Sequence, residues 1–400
     1  MSVINLKSNI IQTVASKSAI LLLNFALVIF SARLWGTEGR GAIALFIANL
    51  SLITSVTNIF TGSSVSYFLL KRGLTKLMMQ AYVWVFIISA ISGIVFRLYD
   101  RTTPSTLLFT GAVLFGFINF HSSTYIGNQR IGYYNLITVI QPFFQIAFLL
   151  LSYYWIDKSY FAYFYGMIAS YLLVFVICKV LTRITEKQVS YHIDTKSVKE
   201  TFMYGWQIEL SSFLQFFNYR LSFYFLNYFL GAASVGVFSV GVTLSEAIWI
   251  VSRSISLVQY SNVLKQGDTK DSRKETSITA KYSFFISLFC LGFVLCLPKQ
   301  LFSMVFGAGF EGVKQIILLL SPGILANSAS NVFGNYFSAI GKVKILILKS
   351  AIGVMFTVGL SIVLIPNLHV MGACIVNASS YLVSSIVLFW FFFYKDAKVD

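Results

Sequence analysis

The chain has 400 residues, 57% of them apolar, 17% aromatic and only 11% charged, against roughly a quarter charged in soluble domains. A mean hydropathy of +0.78 leaves too little polar surface to coat two or three water-soluble domains, so the composition is that of an integral membrane protein. No block of the +16 net charge lies outside the short loops, and there is no zinc-finger spacing and no basic–aromatic face, so it reads as a topology signal and no nucleic-acid partner is expected.

Apolar runs of spanning length, about 20 residues, are predicted in chain order at 10–33, 41–69, 78–98, 104–127, 134–156 and 160–181. After a polar stretch they resume at 203–229, 235–262, 278–298, 314–338, 345–366 and 371–394, which makes twelve. Lys7 and Lys17 precede the first run as in a signal peptide. No small-x-small cleavage site follows and more spans come after, so the run is an uncleaved first helix. Pro104 after Thr103 is a helix start, while Pro142 and Pro322 lie inside helices and are expected to kink them, with the freed backbone facing protein or water. Cys178, Cys290, Cys296 and Cys374 fall in apolar stretches without a CxxC spacing and read as core or lipid-facing filler. His121, His192 and His369 form no clustered pair, and neither a metal site nor a cofactor is expected.

Orientation follows from the basic residues. With the N-terminus inside, 21 Lys and Arg flank the inner ends of the spans and 7 flank the outer ends, leaving Arg220 and Arg253 within spans. That bias places both termini and the 182–202 segment in the cytoplasm.

The polar stretch divides the chain into an N-terminal six-helix lobe (1–181), a cytoplasmic linker (182–202) and a C-terminal six-helix lobe with a short tail (203–400). The halves echo each other. Leu34-Trp35-Gly36-Thr37-Glu38-Gly39-Arg40-Gly41 joins spans one and two, and Leu230-Gly231-Ala232-Ala233-Ser234-Val235-Gly236 joins spans seven and eight, each with glycines five apart. Ile126-Gly127-Asn128-Gln129-Arg130 between spans four and five is matched by Ile340-Gly341-Lys342-Val343-Lys344 between ten and eleven. Six spans per half is an even number, so the repeats share one orientation. That arrangement predicts two parallel lobes with the site between them.

Leu34–Gly41, the Gly127–Asn135 stretch ending Tyr133-Tyr134-Asn135, and Asn218-Tyr219-Arg220 through Leu230-Gly231, Val235–Ser239 and Glu246 resemble polysaccharide repeat-unit (O-antigen-type) flippases. These belong to the multidrug/oligosaccharidyl-lipid/polysaccharide exporter superfamily. The likeness spans the whole chain in layout, with loose motifs. It implies an all-α, V-shaped transporter of twelve helices with a central cleft, in the bacterial inner membrane. The cargo it implies is an undecaprenyl-diphosphate-linked oligosaccharide for lipopolysaccharide O-antigen, capsule or exopolysaccharide synthesis. Polysaccharide polymerase and chain-length machinery would then be its partners, beside the membrane lipids, and a monomer is the default for a cleft formed within one chain.

Ionisable groups inside spans are few: Lys17, Glu209, Arg220, Glu246 and Arg253. Each costs at least ~2.5–3.5 kcal/mol at a helix centre facing lipid. Lys17, Asn24 and Ser31 are spaced by seven on one stripe of the first helix. On the seventh helix Glu209 and Arg220 share a face, and Gln215 and Asn218 lie on the opposite side with Gln207, Ser211 and Ser222. Glu246 and Arg253 share a face of the eighth. Lys17, Arg220 and Arg253 form the expected cationic substrate-binding set. Asn24, Glu209, Gln215, Asn218, Glu246, Asn327, Asn331 and Asn335 are the expected lumen-lining or charge-balancing groups. Plainer readings stand beside these. Lys17 and Arg253 are within snorkelling reach of the inner surface, the glutamates can neutralise arginines on neighbouring helices, and the asparagine stripe can glue helices together.

The leading function is thus flipping of a lipid-linked oligosaccharide by alternating access, without covalent chemistry. A drug or cation antiporter of the same fold would want embedded carboxylates, of which only Glu209 and Glu246 are present. A membrane glycosyltransferase or polysaccharide polymerase would want a sizeable outer loop or an acidic motif at the membrane edge.

Overall fold

In hydrocarbon every backbone N–H and C=O must be bonded within its own segment unless the sheet closes on itself. The computed structural model, which describes residues 3–99, 103–185 and 195–395, accordingly holds helices and no strand among those residues. The middle of the linker, 186–194, and the tail beyond 395 lie outside the described residues, and His192 with them.

Two helical stretches are bent by one non-helical residue each. Val3–Thr61 turns at Gly36 (φ 62°, ψ −159°) and Val343–Trp390 turns at His369 (φ 55°, ψ −132°). Divided there, the first and second spans are 3–35 and 37–61, the latter continued by Ser63–Arg72. Spans three to six are Leu74–Tyr99, Ser105–Gly127, Ile131–Trp155 and Phe161–Thr185. Spans seven to ten are Thr195–Leu230, Ala232–Gln266, Lys270–Cys296 and Val313–Ala339, with the short helix Lys299–Phe306 before the tenth. The eleventh and twelfth are 343–368 and 370–390.

Nine helices among the described residues are long and apolar enough to cross a membrane, two of them the bent pairs. The seventh falls short of that measure because Gln207, Glu209, Gln215, Asn218, Arg220 and Asn227 dilute its interior. With it, and with both arms of each bent pair counted, the described helices make up the twelve predicted spans. Pro104 caps the fourth span as expected. Pro142 and Pro322 sit inside helices that continue through them, and Pro322 is exposed. The non-helical breaks fall at Gly36 and His369.

Contacts divide the chain into two units, Met1–Trp35 with Phe46–Phe213, and Gly36–Leu45 with Leu214–Asp400. In the first, Ile59, Phe60, Leu69, Leu77, Ala81 and Phe120 form a buried cluster. The Ser63–Arg72 extension is tied to the start of the seventh helix: Arg72 donates to Ser197 O (2.7 Å) and Thr201 Oγ1 (2.8 Å) and pairs with Glu200. His121, fully buried, is bonded at both ring nitrogens, by Tyr82 (2.9 Å) and Thr182 (2.9 Å), joining spans three, four and six.

The second unit explains the first sequence echo. Gly36 and Gly231 (φ 81°) both adopt left-handed backbone at the turn between two spans, which glycine does without steric cost. Their partners five residues on, Gly41 and Gly236, lie against the opposite helix. A Cβ at Gly41 would strike the Ala232 carbonyl, and one at Gly236 would strike the Thr37 carbonyl. Each glycine thus meets the residue just after the other turn, the reciprocal contact expected of a repeat. The second echo is real but shifted. Gln129 (φ 58°) matches Gly341 (φ 76°), and Arg130 N–H to Tyr125 O (2.7 Å) matches Lys342 N–H to Phe337 O (2.9 Å), the six-to-one bond of a helix C-terminus. Gly127 instead packs against Ser66 and Leu69.

At the side predicted as cytoplasmic, Asp268 clamps the second unit. It accepts from Tyr336 and from Arg273 Nε (3.0 Å), and Lys342 Nζ lies 3.6 Å away. Burial alone would raise its pKa. The bonds from Tyr336 and Arg273, with the charges of Arg273 and Lys342, outweigh burial and hold the carboxyl below its usual range.

Gly236→Val should cost about 1–3 kcal/mol through overpacking of the helix contact, seen as a fall of the unfolding midpoint in detergent, whereas Gly292→Val, at a position with open space, should change it little. The Asp268 clamp should stabilise above the ordinary carboxylate pKa of about 4 and fade as pH falls through the depressed folded value. Asp268→Asn should lower the midpoint at neutral pH and flatten its acid dependence.

Candidate functional site

The expected site residues divide between the units. Lys17, Asn24 and Glu209 belong to the first. Lys17 and Asn24 have exposed side chains, while Ser31, on the same stripe, is buried and bonds back to Val28 O (2.9 Å). Glu209 is half-buried with its carboxylate against Gly62, and that carboxylate makes no ion pair or hydrogen bond among the described residues.

The remaining expected residues lie in the second unit, where polar groups bind one another closely. Asn218, expected to line a lumen, is only 4% exposed. It donates to Ser384 Oγ (3.2 Å) and accepts from Ser380 and from Thr357 (3.3 Å). Gly353 makes room for it, since a Cβ there would press on the Asn218 amide. Ser222 donates to Asn377 one turn further on. These contacts bind spans seven, eleven and twelve, so Asn218 is a packing group, as asparagine often is between membrane helices.

Arg220 and Glu246, on spans seven and eight, form a two-pronged pair: Nη1 to Oε1 at 2.8 Å and Nη2 to Oε2 at 3.1 Å. Fork-to-fork geometry makes this one of the stronger charge-assisted contacts. The guanidinium also lies 5.2 Å from the Phe223 ring. Arg220 is therefore a neutralised cation in this structure, and Glu246 is already committed.

Around that pair lies a polar and aromatic node. Tyr219 Oη accepts from Gln215 Nε2 (2.7 Å) and from Asn327 Nδ2 (3.4 Å). Its ring stands 5.8 Å from Trp249 and 5.4 Å from Tyr381, which are 5.4 Å from each other. Arg253 lies over Trp249 at 5.9 Å with its side chain exposed and no ion pair among the described residues. Asn331 keeps a buried amide nitrogen with no acceptor among the described residues, and Asn335 is half-buried.

Sequence reasoning misses Lys349. It counts among the basic residues flanking a loop, yet it lies inside the predicted run 345–366, about 9 Å of helix rise beyond Val343. It is 7% exposed, and its backbone carbonyl accepts from Ser384 Oγ of the twelfth span at 3.3 Å. No hydrogen bond or ion pair to its ammonium exists among the described residues. The residues that gather here come from spans seven, eight, ten, eleven and twelve, with two uncompensated positive charges.

No protein-family model matches the sequence, and no curated protein matches it significantly. Solved structures do. The chain is similar to an inward-facing multidrug-resistance MATE-family transporter of the MOP superfamily (TM-score 0.77, 14% identity, 94% of each chain covered). It is similar to the MATE multidrug transporter DinF-BH (TM-score 0.71, 16% identity, 98% of this chain and 95% of that one). It is also similar to the lipid II flippase MurJ in an inward closed conformation (TM-score 0.71, 14% identity, 95% and 86%). At such identities the likeness establishes the fold, that of MOP-superfamily transporters.

Arg220→Ala should leave Glu246 without its cation and cost about 2 kcal/mol, below the 3–5 of a fully buried pair because the two side chains are 28% and 26% exposed. Arg220→Glu should cost more, and Arg220→Glu with Glu246→Arg should recover the unfolding midpoint. Recovery of transport by the same swap would show that Arg220 acts only through the pair.

Proposed function

We propose that this chain flips a lipid-linked oligosaccharide, an undecaprenyl-diphosphate-linked repeat unit, across the bacterial inner membrane by alternating access. The observation that carries the reading is the sign of the charge in the second unit. Arg253 and Lys349 are unpaired among the described residues, and Glu246, the one carboxylate near them among those residues, is bonded to Arg220. A diphosphate needs cations that are free to meet it, whereas a cationic drug needs free carboxylates. The aromatic faces of Tyr219, Trp249 and Tyr381 and the sparse amides beside them suit a sugar, which has apolar faces and a polar rim. No covalent step is required. Both termini facing the cytoplasm, and association with polymerase and chain-length machinery, belong to the same proposal.

A drug or cation antiporter is a second reading, favoured by one observation: Glu209 is half-buried and without an ionic partner among the described residues. Loss of dye resistance in Glu209→Gln, with polysaccharide intact, would support it.

Deleting the gene should leave the lipid-linked unit in the inner leaflet, shielded from an externally added lectin or glycosidase in spheroplasts. The same unit accumulating unpolymerised in the outer leaflet would replace flipping by a polymerase role.

A further inference from the structure

The geometry points to a lipid site in the second unit, at the ends of spans two, eight, ten and twelve that the charge bias places outside. Its occupant is one acyl chain of a diacyl phospholipid, with the ester group at the rim. The site shares no residue with the Arg220–Glu246 pair or the aromatic node around it.

The site is a cavity of about 390 Å³ whose lining belongs wholly to the second unit. Its walls are Thr37, the start of span eight, the 309–312 loop, the first turns of span ten and the residues that follow the bend at His369. Close contacts hold these walls apart. A Cβ on Gly236 would strike the Thr37 carbonyl, one on Gly241 would strike Ile316, and one on Gly323 would press on Ala378. Spans two and eight, eight and ten, and ten and twelve therefore already touch. The loop is pinned by Phe306 and Phe310, both buried, with ring centroids 6.2 Å apart.

Within that frame the positions facing the space are small. Gly309 has a left-handed backbone (φ 91°), which favours glycine. Gly312 does not: its dihedrals (φ −69°, ψ −10°) suit any residue, and a Cβ there would find its nearest atom, Val237 Cγ1, 4.0 Å away. Neither the backbone nor a close approach calls for glycine at 312. What the missing side chain leaves is room.

Protein interiors are packed like organic crystals, with few voids larger than a water molecule, and an apolar void stays dry and takes apolar ligands. Val237, Ile316, Leu319, Val370, Met371 and Cys374 give this cavity such a lining, and no charged side chain joins it. Met371 also is exposed, as are Leu318 and Ile375 beside it on spans ten and twelve. The cavity thus opens on a face that lipid tails cover, and the bilayer supplies the occupant.

The polar residues of the lining choose among lipids. Thr37, Ser234 and Gln315 make no side-chain hydrogen bond among the described residues. Two hydroxyls and an amide offer donors to an uncharged acceptor, which the ester carbonyl at the head of an acyl chain provides. A prenyl diphosphate would bring charge to the same depth, where the lining has no cation to meet it.

The test is native mass spectrometry of the full-length protein, extracted from membranes in mild detergent. One diacyl phospholipid is expected to stay bound under washing that removes the rest. Gly312→Phe and Ser234→Phe, which fill the cavity, should each lower the bound fraction about tenfold or more. Gly359→Phe, at an exposed position of span eleven with open space around it, should leave it unchanged. Native retention in Gly312→Phe overturns the site, as does the absence of a retained lipid. Ser234→Phe decides if the unfolding midpoint shows that Gly312→Phe does not fold. A retained small organic molecule or prenyl-linked sugar, lost in the same variants, overturns the acyl-chain assignment. A phosphatidylcholine carrying a diazirine in its chain gives a second readout. It should crosslink to the peptide containing Cys374, which is buried, in the native protein and not in Gly312→Phe. Crosslinks confined to exposed residues would overturn the site.

Discussion

A polar group carried into a medium without water is costly unless another polar group meets it, and several contacts between spans of the second unit answer that requirement. Asn218 is met by Ser380, Thr357 and Ser384. Trp249 donates to the Ile324 carbonyl at 3.0 Å, and Ser252 bridges Ser283 and the Ser328 carbonyl. Each contact joins different spans, so satisfying the side chain also fixes which helices are neighbours. Such bonds are individually modest between membrane helices, but they are directional, and directionality is what apolar packing lacks.

Close helix approach answers the same constraint in another way. Lipid tails are as apolar as leucine, so helix pairing gains little from hydrophobicity and depends on fit. Gly41 against Ala232 and Gly236 against Thr37 bring backbone onto backbone, and Gly205 does the same against Ile59 in the first unit. The reciprocal glycine contact ties the repeat seen in the chain to a physical use: one glycine turns the backbone and the next lets the helices touch.

Against this background the exceptions carry the functional argument. Lys349 is buried and unmet among the described residues, and Arg253 stands over Trp249 without a carboxylate. Charged groups are expensive inside membrane spans, and these two basic side chains stand without a carboxylate among the described residues.

The chain by itself determined the fold class and the number of spans, because hydrophobic length is a local property and each helix satisfies its own backbone. It also determined the charge bias and the existence of a repeat, though the shift from Gly127 to Gln129 needed backbone dihedrals. Which polar residues pack and which remain free was decided only by tertiary structure. Asn218 and Arg220 lie two residues apart on one helix and look equally functional in the sequence, yet one is enclosed by three hydroxyls and the other by Glu246. Glu246 and Arg253 share a face, but the carboxylate turns to the seventh helix and the guanidinium to Trp249. Lys349 reads as a flanking residue because a lysine near a helix end ordinarily snorkels. Its burial comes from helices packed against the eleventh span, as where Ser384 of the twelfth donates to the Lys349 carbonyl, which no spacing along a single helix can reveal.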